Sequence, residues 1–276
     1  MYSINCRGKL LSLESPVVMG IINATPDSFY KGHLGLSSAD LMQMAADMVA
    51  EGAAILDIGG QSTRPGSQRL SAAEEIDRLI PLIEMIHQQF PDIPVSADTY
   101  SSEVARAAVA AGASIINDIS GGEMDAAMLT TAGALQVPYI CMHMQGTPDT
   151  MQQAPHYTDV VQDVLDYFIA KLAACEKAGI KDLVIDPGFG FGKTITHNFQ
   201  LLKNLSVFQI LGKPVLAGLS RKSTIYRTLG TDAAGALNGS TVLNTIALLN
   251  GASILRVHDV KEAREAVLLV SAMQEA

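Results

Sequence analysis

Short apolar runs recur along the chain, and each is followed by a longer segment with a helical pattern of polar and apolar residues. Eight such runs are rich in Val and Ile and almost continuously hydrophobic, as strands buried on both faces of a parallel sheet are. They lie at Val17–Asn23, Ala53–Gly60, Ile93–Thr99, Ser114–Ser120, Val137–Met144, Asp182–Gly188, Pro214–Ser220 and Ala252–Asp259. The pattern predicts eight strands.

The segments between these runs carry start and stop signals of helices. The segments 37–53, 71–91 and 101–113 each begin with serine, a preferred N-cap, and the first and third end near a glycine, a preferred C-terminal cap. Ser71 lies three residues before Glu74, which is the spacing of a capping box. We therefore predict that a helix follows each strand.

Strict alternation of strand and helix predicts a parallel sheet, and eight repeats predict a single closed (β/α)8 barrel, the TIM-barrel fold of the α/β class. A doubly wound open sheet is the alternative. The residues before Pro16 resemble a short N-terminal hairpin that caps one end. Because no linker or low-complexity tract interrupts the pattern, we expect one domain over residues 1–276.

Composition narrows the class of partner. The 276-residue chain is 48% hydrophobic and carries a net charge of −9, which argues against a nucleic-acid-binding face. A small anionic substrate remains compatible, because a few cations in a cleft set the local field. No uncharged apolar run reaches the roughly 20 residues of a membrane span, and no signal-peptide pattern begins the sequence.

The cysteines indicate a reducing compartment. Their number is odd, and Cys6, Cys141 and Cys175 lie far apart without a C-x-x-C pair. This pattern favours free thiols in a cytoplasmic protein over a disulfide framework or a zinc site.

The stretch DPGFGFGKT, Asp186–Thr194, ends like a phosphate-binding loop but does not match one. The P-loop needs a glycine five residues before Gly192, where this chain has Pro187. A dinucleotide fingerprint fails as well, since its third glycine falls on Lys193. The glycines permit close backbone approach to a ligand, and Phe189 and Phe191 offer either a wall for a flat ring or packing onto the barrel.

Nearly every predicted strand ends in a polar residue. Barrel enzymes hold their catalytic groups at these carboxyl ends, although one such residue alone is often a helix cap. The set comprises Asn23, Arg64 in the loop after the second strand, Asp98, Asn117, His143, Asp186, Lys222, Arg256 and His258. For His143, a core or supporting role is the favoured interpretation.

Two recognition chemistries fit these residue types. Asp98, Asn117 and Asp186 offer donors and acceptors for a flat heterocycle with amide and amino edges. A phosphate-type group is suited by one amide, two guanidinium groups and one imidazole, because the arginine fork matches phosphate oxygens. These are Asn23, Arg64, Arg256 and His258. The carboxylates lie on different strands and lack the close spacing of a dedicated metal cage.

Six motifs in order then resemble dihydropteroate synthases over nearly the whole chain. They are NATPDSF (Asn23–Phe29), DIGGQSTRPG (Asp57–Gly66), INDISGG (Ile116–Gly122), DPGFGFGK (Asp186–Lys193), SRKS (Ser220–Ser223) and RVHD (Arg256–Asp259). The resemblance implies a transferase of folate biosynthesis, a target of sulfonamides. It joins 6-hydroxymethyl-7,8-dihydropterin diphosphate to p-aminobenzoate and releases 7,8-dihydropteroate and diphosphate.

The resemblance also implies a site. Residues implied for the pterin are Asp98, Asn117, Met142, Asp186 and Lys222; those for the diphosphate are Asn23, Arg64, Arg256 and His258, with Mg²⁺ held through Asn23. Residues implied for p-aminobenzoate are Phe29, Thr63, Pro65, Phe191 and Ser223, on or beside two loops that close over the substrates. The residues implied as catalytic are Asp98, Arg64, Lys222, Arg256 and His258.

The chain departs from the family pattern at three places. Gln61 stands where glutamate is usual, the segment Tyr30–Gly35 replaces a common Ser-Asp-Gly-Gly, and Ser101 replaces a frequent lysine. The Tyr30–Gly35 change bears on the dynamics of the first loop, and Gln61 removes a charge from the second, whereas every implied ligand position is matched.

Two other functions and one interface stay open. A methyltetrahydrofolate-dependent methyltransferase would share the pterin-binding residues but has no need of the STRPG and SRKS motifs. A non-catalytic pterin-binding paralogue would be expected to lose loop residues first. The helical run 233–252, rich in small and aliphatic residues, fits either a homodimer face or packing against its own barrel.

Overall fold

The computed structural model describes residues 2–24, 37–61, 69–148, 150–151 and 154–276. Eight strands in this part form one parallel sheet: β3 (Val17–Asn23), β4 (Ile55–Gly59), β5 (Val95–Asp98), β6 (Ile115–Asp118), β7 (Tyr139–Met142), β8 (Leu183–Asp186), β9 (Leu216–Ala217) and β10 (Ile254–Val257). Their spatial order is β8-β7-β6-β5-β4-β3-β10-β9, and a bridge between Ile185 and Val215 joins the two ends. The predicted barrel is therefore confirmed, and the open doubly wound sheet is wrong.

Helices surround the barrel. In the described residues they are α1 (Ser38–Ala50), α2 (Ala72–Gln89), α3 (Ser102–Ala111), α4 (Met128–Leu135), α5 (Val160–Lys177), α6 (Ile195–Lys203), α7 (Ser223–Leu229), α8 (Leu237–Leu249) and α9 (Val260–Glu275). The predicted capping box at Ser71 and Glu74 is present, and Gly112 ends α3. Within the described ranges, none of these helices has the length and apolarity needed to cross a membrane.

The predicted N-terminal hairpin is confirmed and covers one end of the barrel. Strands β1 (Ser3–Cys6) and β2 (Lys9–Ser12) pair antiparallel through a turn in which Arg7 and Gly8 both have positive φ. Ile4, Cys6 and Leu13 pack on the aliphatic layer that begins the barrel strands, including Ile55 and Ile254. This end is therefore closed by apolar packing.

The larger core lies between the strands and the outer helices. It contains the largest fully buried side chains, among them Phe168, Phe189 and Phe208, together with outward-facing residues of the strands. All three cysteines are buried and free. With one end covered by the hairpin and the sides covered by helices, the carboxyl ends of the strands are left to carry a site.

Candidate active site

Alternation along the strands brings polar side chains together at the carboxyl end of the barrel. The aliphatic layer that the hairpin covers is the lower layer of the barrel interior. Residues two apart on a strand share a face, so the residue two positions after each member of this layer also points inward. The inward pairs are Ile55 and Asp57, Ile115 and Asn117, Ile140 and Met142, Val184 and Asp186, and Ile254 and Arg256. The lower layer fills the barrel, and the upper positions form the floor of a site.

Arg256 is the centre of this floor. Its Nε donates to Asp57 Oδ2 at 2.6 Å, and its Nη2 donates to Asp98 Oδ2 at 2.6 Å. Asn117 Nδ2 donates to the same Asp57 oxygen at 3.0 Å. Two carboxylates and one amide thus fix the guanidinium plane, which leaves the other N–H bonds of Arg256 for a ligand.

Asp57 is the residue that the sequence analysis missed. It is fully buried, and its Oδ1 lacks a hydrogen-bond partner among the described residues. The available signal was its charge: an aspartate inside an otherwise apolar buried strand needs a polar partner, because an isolated buried carboxylate is costly.

Burial shifts the ionisation of several groups towards neutral pH. It raises the pKa of Asp98 to about 7, an effect opposed by Arg256 and increased by Asp57. Burial also raises the pKa of Asp186, opposed chiefly by Lys222, and lowers the pKa of Lys222 to about 8, opposed by Asp186. Opposed buried charges of this kind are typical of functional sites.

The glycine-rich stretch after β8 folds back against β7. Gly188 has φ +71°, donates its N–H to Asp186 Oδ1 at 2.8 Å, and lies so close to β7 that an added Cβ would be 1.9 Å from the His143 carbonyl oxygen. Phe189 is 1% exposed and packs in the outer core, so of the two roles left open for it the structure shows packing onto the barrel. Phe191 is half-buried, with its ring centroid 4.8 Å from Lys222 Nζ.

The SRKS motif after β9 and the RVHD motif at the end of β10 are joined by a hydrogen bond and an ion pair. Ser220 Oγ lies 3.1 Å from His258 Nδ1, and Arg221 makes a two-pronged ion pair with Asp259 at 2.7 and 2.8 Å. Burial and the charge of Arg256 lower the pKa of His258 to about 4, so its imidazole is neutral at pH 7. The His258 backbone N–H also donates to Ser220 Oγ at 3.2 Å, so Ser220 holds both the backbone and the ring of His258.

The remaining described residues of the predicted set lie around this floor. Asn23 ends β3; a Cβ added to Gly59 would be 3.7 Å from Asn23 Oδ1 and 3.6 Å from Asp98 Oδ2, so these two side chains flank Gly59. Met142 is buried in a small cluster against which Phe191 packs. Ser223 begins α7 directly after Lys222.

Four predicted residues, Phe29, Thr63, Arg64 and Pro65, lie outside the described residues. Next to the second of these gaps, Gln61 is 9% exposed, and its Oε1 accepts a hydrogen bond from the Leu70 backbone N–H at 2.8 Å. A neutral amide suits this buried position better than a carboxylate. In the described part of the chain, no group of three or more His, Cys, Asp or Glu side chains is arranged to hold a metal ion.

Comparisons with known proteins agree on one family. Residues 19–258 match the family model described as pterin binding enzyme. The chain is 46% identical to the dihydropteroate synthase of Escherichia coli over 272 residues, covering 98% of this chain and 96% of that protein. It is 45% identical to the Haemophilus influenzae dihydropteroate synthase over 92% of each chain.

Solved structures are similar over the full length. A Yersinia pestis dihydropteroate synthase in a sulfonamide complex superposes with a TM-score of 0.95 at 41% identity, with 100% of each chain covered. A Xanthomonas albilineans dihydropteroate synthase in complex with 7,8-dihydropteroate gives a TM-score of 0.90 at 40% identity, also covering 100% of each chain.

Proposed function

Because the chain belongs to the dihydropteroate synthase family of pterin-binding enzymes, we infer that it catalyses the reaction of that family in folate biosynthesis. It is a transferase that joins 6-hydroxymethyl-7,8-dihydropterin diphosphate to p-aminobenzoate and yields 7,8-dihydropteroate and diphosphate. The observation that carries this assignment is the convergence of Asp98, Asn117, Asp186, Lys222 and Arg256 at one barrel end, in a chain 46% identical to such an enzyme.

We propose that the polar edge of the pterin binds side chains that are already oriented by hydrogen bonds within the protein. Asp186 uses Oδ1 to hold the Gly188 N–H, so its second oxygen accepts from the ring N–H and amino group. Asn117 is tied through Nδ2 to Asp57, which leaves its carbonyl oxygen as an acceptor. Orientation fixed before binding reduces the entropy lost when the substrate is positioned.

The diphosphate is proposed to lie over Arg256 and His258. The N–H bonds of Arg256 that its two carboxylates do not use can donate to phosphate oxygens, and the imidazole of His258, held by Ser220, is proposed to contact the same group. Asn23 fits a role in holding Mg²⁺, because it presents a single amide oxygen and Mg²⁺ usually keeps several waters and substrate phosphate oxygens. Bound Mg²⁺ would neutralise charge on the leaving diphosphate.

In the reaction the methylene C–O bond breaks and its electron pair leaves with diphosphate. The aniline nitrogen of p-aminobenzoate forms the new C–N bond and then loses a proton. That nitrogen is already a nucleophile, so the site needs no strong general base. Asp98, held by Arg256 at 2.6 Å, serves charge and orientation beside the electron-poor methylene carbon.

The second substrate is proposed to meet Phe191 and Ser223 together with Phe29, Thr63 and Pro65, and Arg64 is proposed to contact the diphosphate. The last four belong to the two loops outside the described residues. Closure of those loops would exclude water, because hydrolysis of the pterin diphosphate competes with amination.

The test is a coupled assay of dihydropteroate and diphosphate with the purified chain, both substrates and Mg²⁺. Asp186→Asn should abolish product, whereas Asp182→Asn, at the opposite end of β8, should retain wild-type turnover. Pterin binding without product in the wild type would move the chain to the non-catalytic class. A sulfonamide should raise the melting temperature of the wild type in the presence of diphosphate, because ligand binding stabilises the folded state.

A homodimer is proposed through the outward side of α8 and its neighbours. One side of α8, including Leu243 and Ala247, packs on the barrel, whereas Val242 and Leu249 are 48% and 53% exposed. Leu269 on the adjacent α9 is 73% exposed, so the apolar surface continues. Val242→Glu should convert a dimer to a monomer in analytical ultracentrifugation; a wild-type monomer would refute this proposal.

A cytoplasmic location is proposed as well. It is supported by the three buried free cysteines, which persist as thiols in a reducing compartment.

A further inference from the structure

Lys193, the lysine of the GKT sequence, is turned into the protein. Its side chain is 3% exposed, and its Nζ lies 2.9 Å from His143 Nδ1, 3.0 Å from the carbonyl oxygens of Gly188 and Phe191, and 3.3 Å from the His143 carbonyl oxygen. Burial lowers the pKa of Lys193 to about 7. In either protonation state its N–H groups donate, and all the neighbouring atoms here can accept. This lysine therefore binds the backbone of its own loop.

His143 is suited to accept from it. Burial and the nearby charge of Lys193 lower the pKa of His143 to about 2, so the imidazole is neutral and its Nδ1 can accept. The rings of His143 and Tyr167 form a T-shaped pair with a centroid distance of 4.8 Å, which fixes the His143 ring plane. The end of β7 thus holds Lys193 in one place.

A second lysine binds the same loop. Lys222 Nζ donates to the Phe189 carbonyl oxygen and lies 4.8 Å from the Phe191 ring centroid. The loop carbonyls are therefore divided between two lysines: those of Gly188 and Phe191 accept from Lys193, and that of Phe189 accepts from Lys222. Phe191 is fixed at its backbone by one lysine and faces the other with its ring.

We propose that Lys193 is a positioning residue for the second substrate. It fixes the backbone of Phe191, and thereby sets the ring that forms one wall of the p-aminobenzoate site, without touching either substrate. This inference rests on the proposed function, in which Phe191 contacts p-aminobenzoate. Since the pterin is held by side chains of the barrel floor, a change at Lys193 is expected to affect the two substrates unequally.

The experiment compares Lys193→Met with Lys203→Met, a control on the exposed surface of α6. The expected result is a KM for p-aminobenzoate raised about tenfold in Lys193→Met, the effect of about 1.4 kcal/mol. The KM for the pterin diphosphate, kcat, and pterin affinity by calorimetry should change less than about twofold. Lys203→Met should change none of them.

A double-mutant cycle with Phe191→Leu tests whether Lys193 acts through that ring. Two residues that act through one contact give non-additive effects, so Lys193→Met should not raise the KM for p-aminobenzoate further when Phe191 is already Leu. Additive effects, or equal changes for both substrates, would overturn the inference. Failure of both Lys193→Met and Lys193→Gln to fold would also overturn it, because the lysine would then serve folding alone. A wild-type protein without product would instead refute the proposed function.

Discussion

Two ion pairs of equal length lie in opposite surroundings, and this contrast gives a quantitative prediction. Arg256 with Asp57 and Lys9 with Asp92 both have N–O distances of 2.6 Å, but the Asp57 side chain is 0% exposed and that of Asp92 is 92% exposed. Water screens the second pair, so Asp92→Ala should leave the free energy of unfolding unchanged within error. Removing one partner of a buried pair typically costs 3–5 kcal/mol, because the other charge stays buried.

For Asp57→Ala we expect the lower end of that range, about 3 kcal/mol, because Asp98 still pairs with Arg256 at 2.6 Å. Asp57→Asn should cost less. An amide oxygen in place of Oδ2 can still accept from Arg256 Nε and Asn117 Nδ2, which lie 2.6 and 3.0 Å away in the wild type. The charge is lost, and the amide NH2 takes the place of Oδ1, which has no partner among the described residues, so part of the cost remains.

Urea unfolding followed by circular dichroism measures these differences at constant pH. The three variants should rank Asp57→Ala, then Asp57→Asn, then Asp92→Ala in lost stability. Equal losses for Asp57→Ala and Asp92→Ala would refute the reasoning, because burial would then not decide the strength of the pair.

The other predictions concern pH and backbone space. The pKa of His258 is about 4 in the folded state, below its ordinary 6.5, so the unfolded chain binds the extra proton first as pH falls from 6.5 to 4. The free energy of unfolding should therefore fall over that pH window, by up to about 3 kcal/mol from this residue. Urea titrations of His258→Gln should show a smaller fall, and a fall equal to that of the wild type would contradict the lowered pKa of His258. Gly188 (φ +71°) and Gly212 (φ +63°) both have a left-handed backbone. A Cβ added to Gly188 would lie 1.9 Å from the His143 carbonyl oxygen, whereas one added to Gly212 would have no atom within 4 Å. Gly188→Ala should thus lower the melting temperature and the activity far more than Gly212→Ala, whose cost is backbone strain of about 1–2 kcal/mol; similar losses would show that the close approach is unimportant.

The alternation of strands and helices along the chain predicted the barrel. The sequence did not show which side chains of each strand point into it. Strands buried on both faces are apolar at every position, so their sequences do not reveal which residues point into the barrel. Asp98, Asn117 and Asp186 could be predicted because they lie at or next to the ends of their strands. Asp57 carries only the weaker signal of a charge within the apolar run 53–60, and nothing near it identifies its partner Arg256, which is 199 residues away.

The strand boundaries show the same limit. The run Pro214–Ser220 predicted a long strand, but β9 covers Leu216–Ala217, with Val215 bridged to Ile185 beside it. The chain then turns at Arg221, which has φ 53°. That turn places Arg221 against Asp259 and directs Lys222 towards Phe189 and Phe191. Neither contact has a signature in local sequence.

The sequence by itself determined the order of strands and helices, the caps of α2 and α3, and the motifs that resemble one enzyme family, since each of these depends on near neighbours in the chain. Only the tertiary structure decided that Arg256 binds Asp57 and Asp98, that Phe189 packs in the core, and that Lys193 faces His143 and not a phosphate. Those contacts join residues on different strands, and they exist only once the barrel has closed and removed their charges from water.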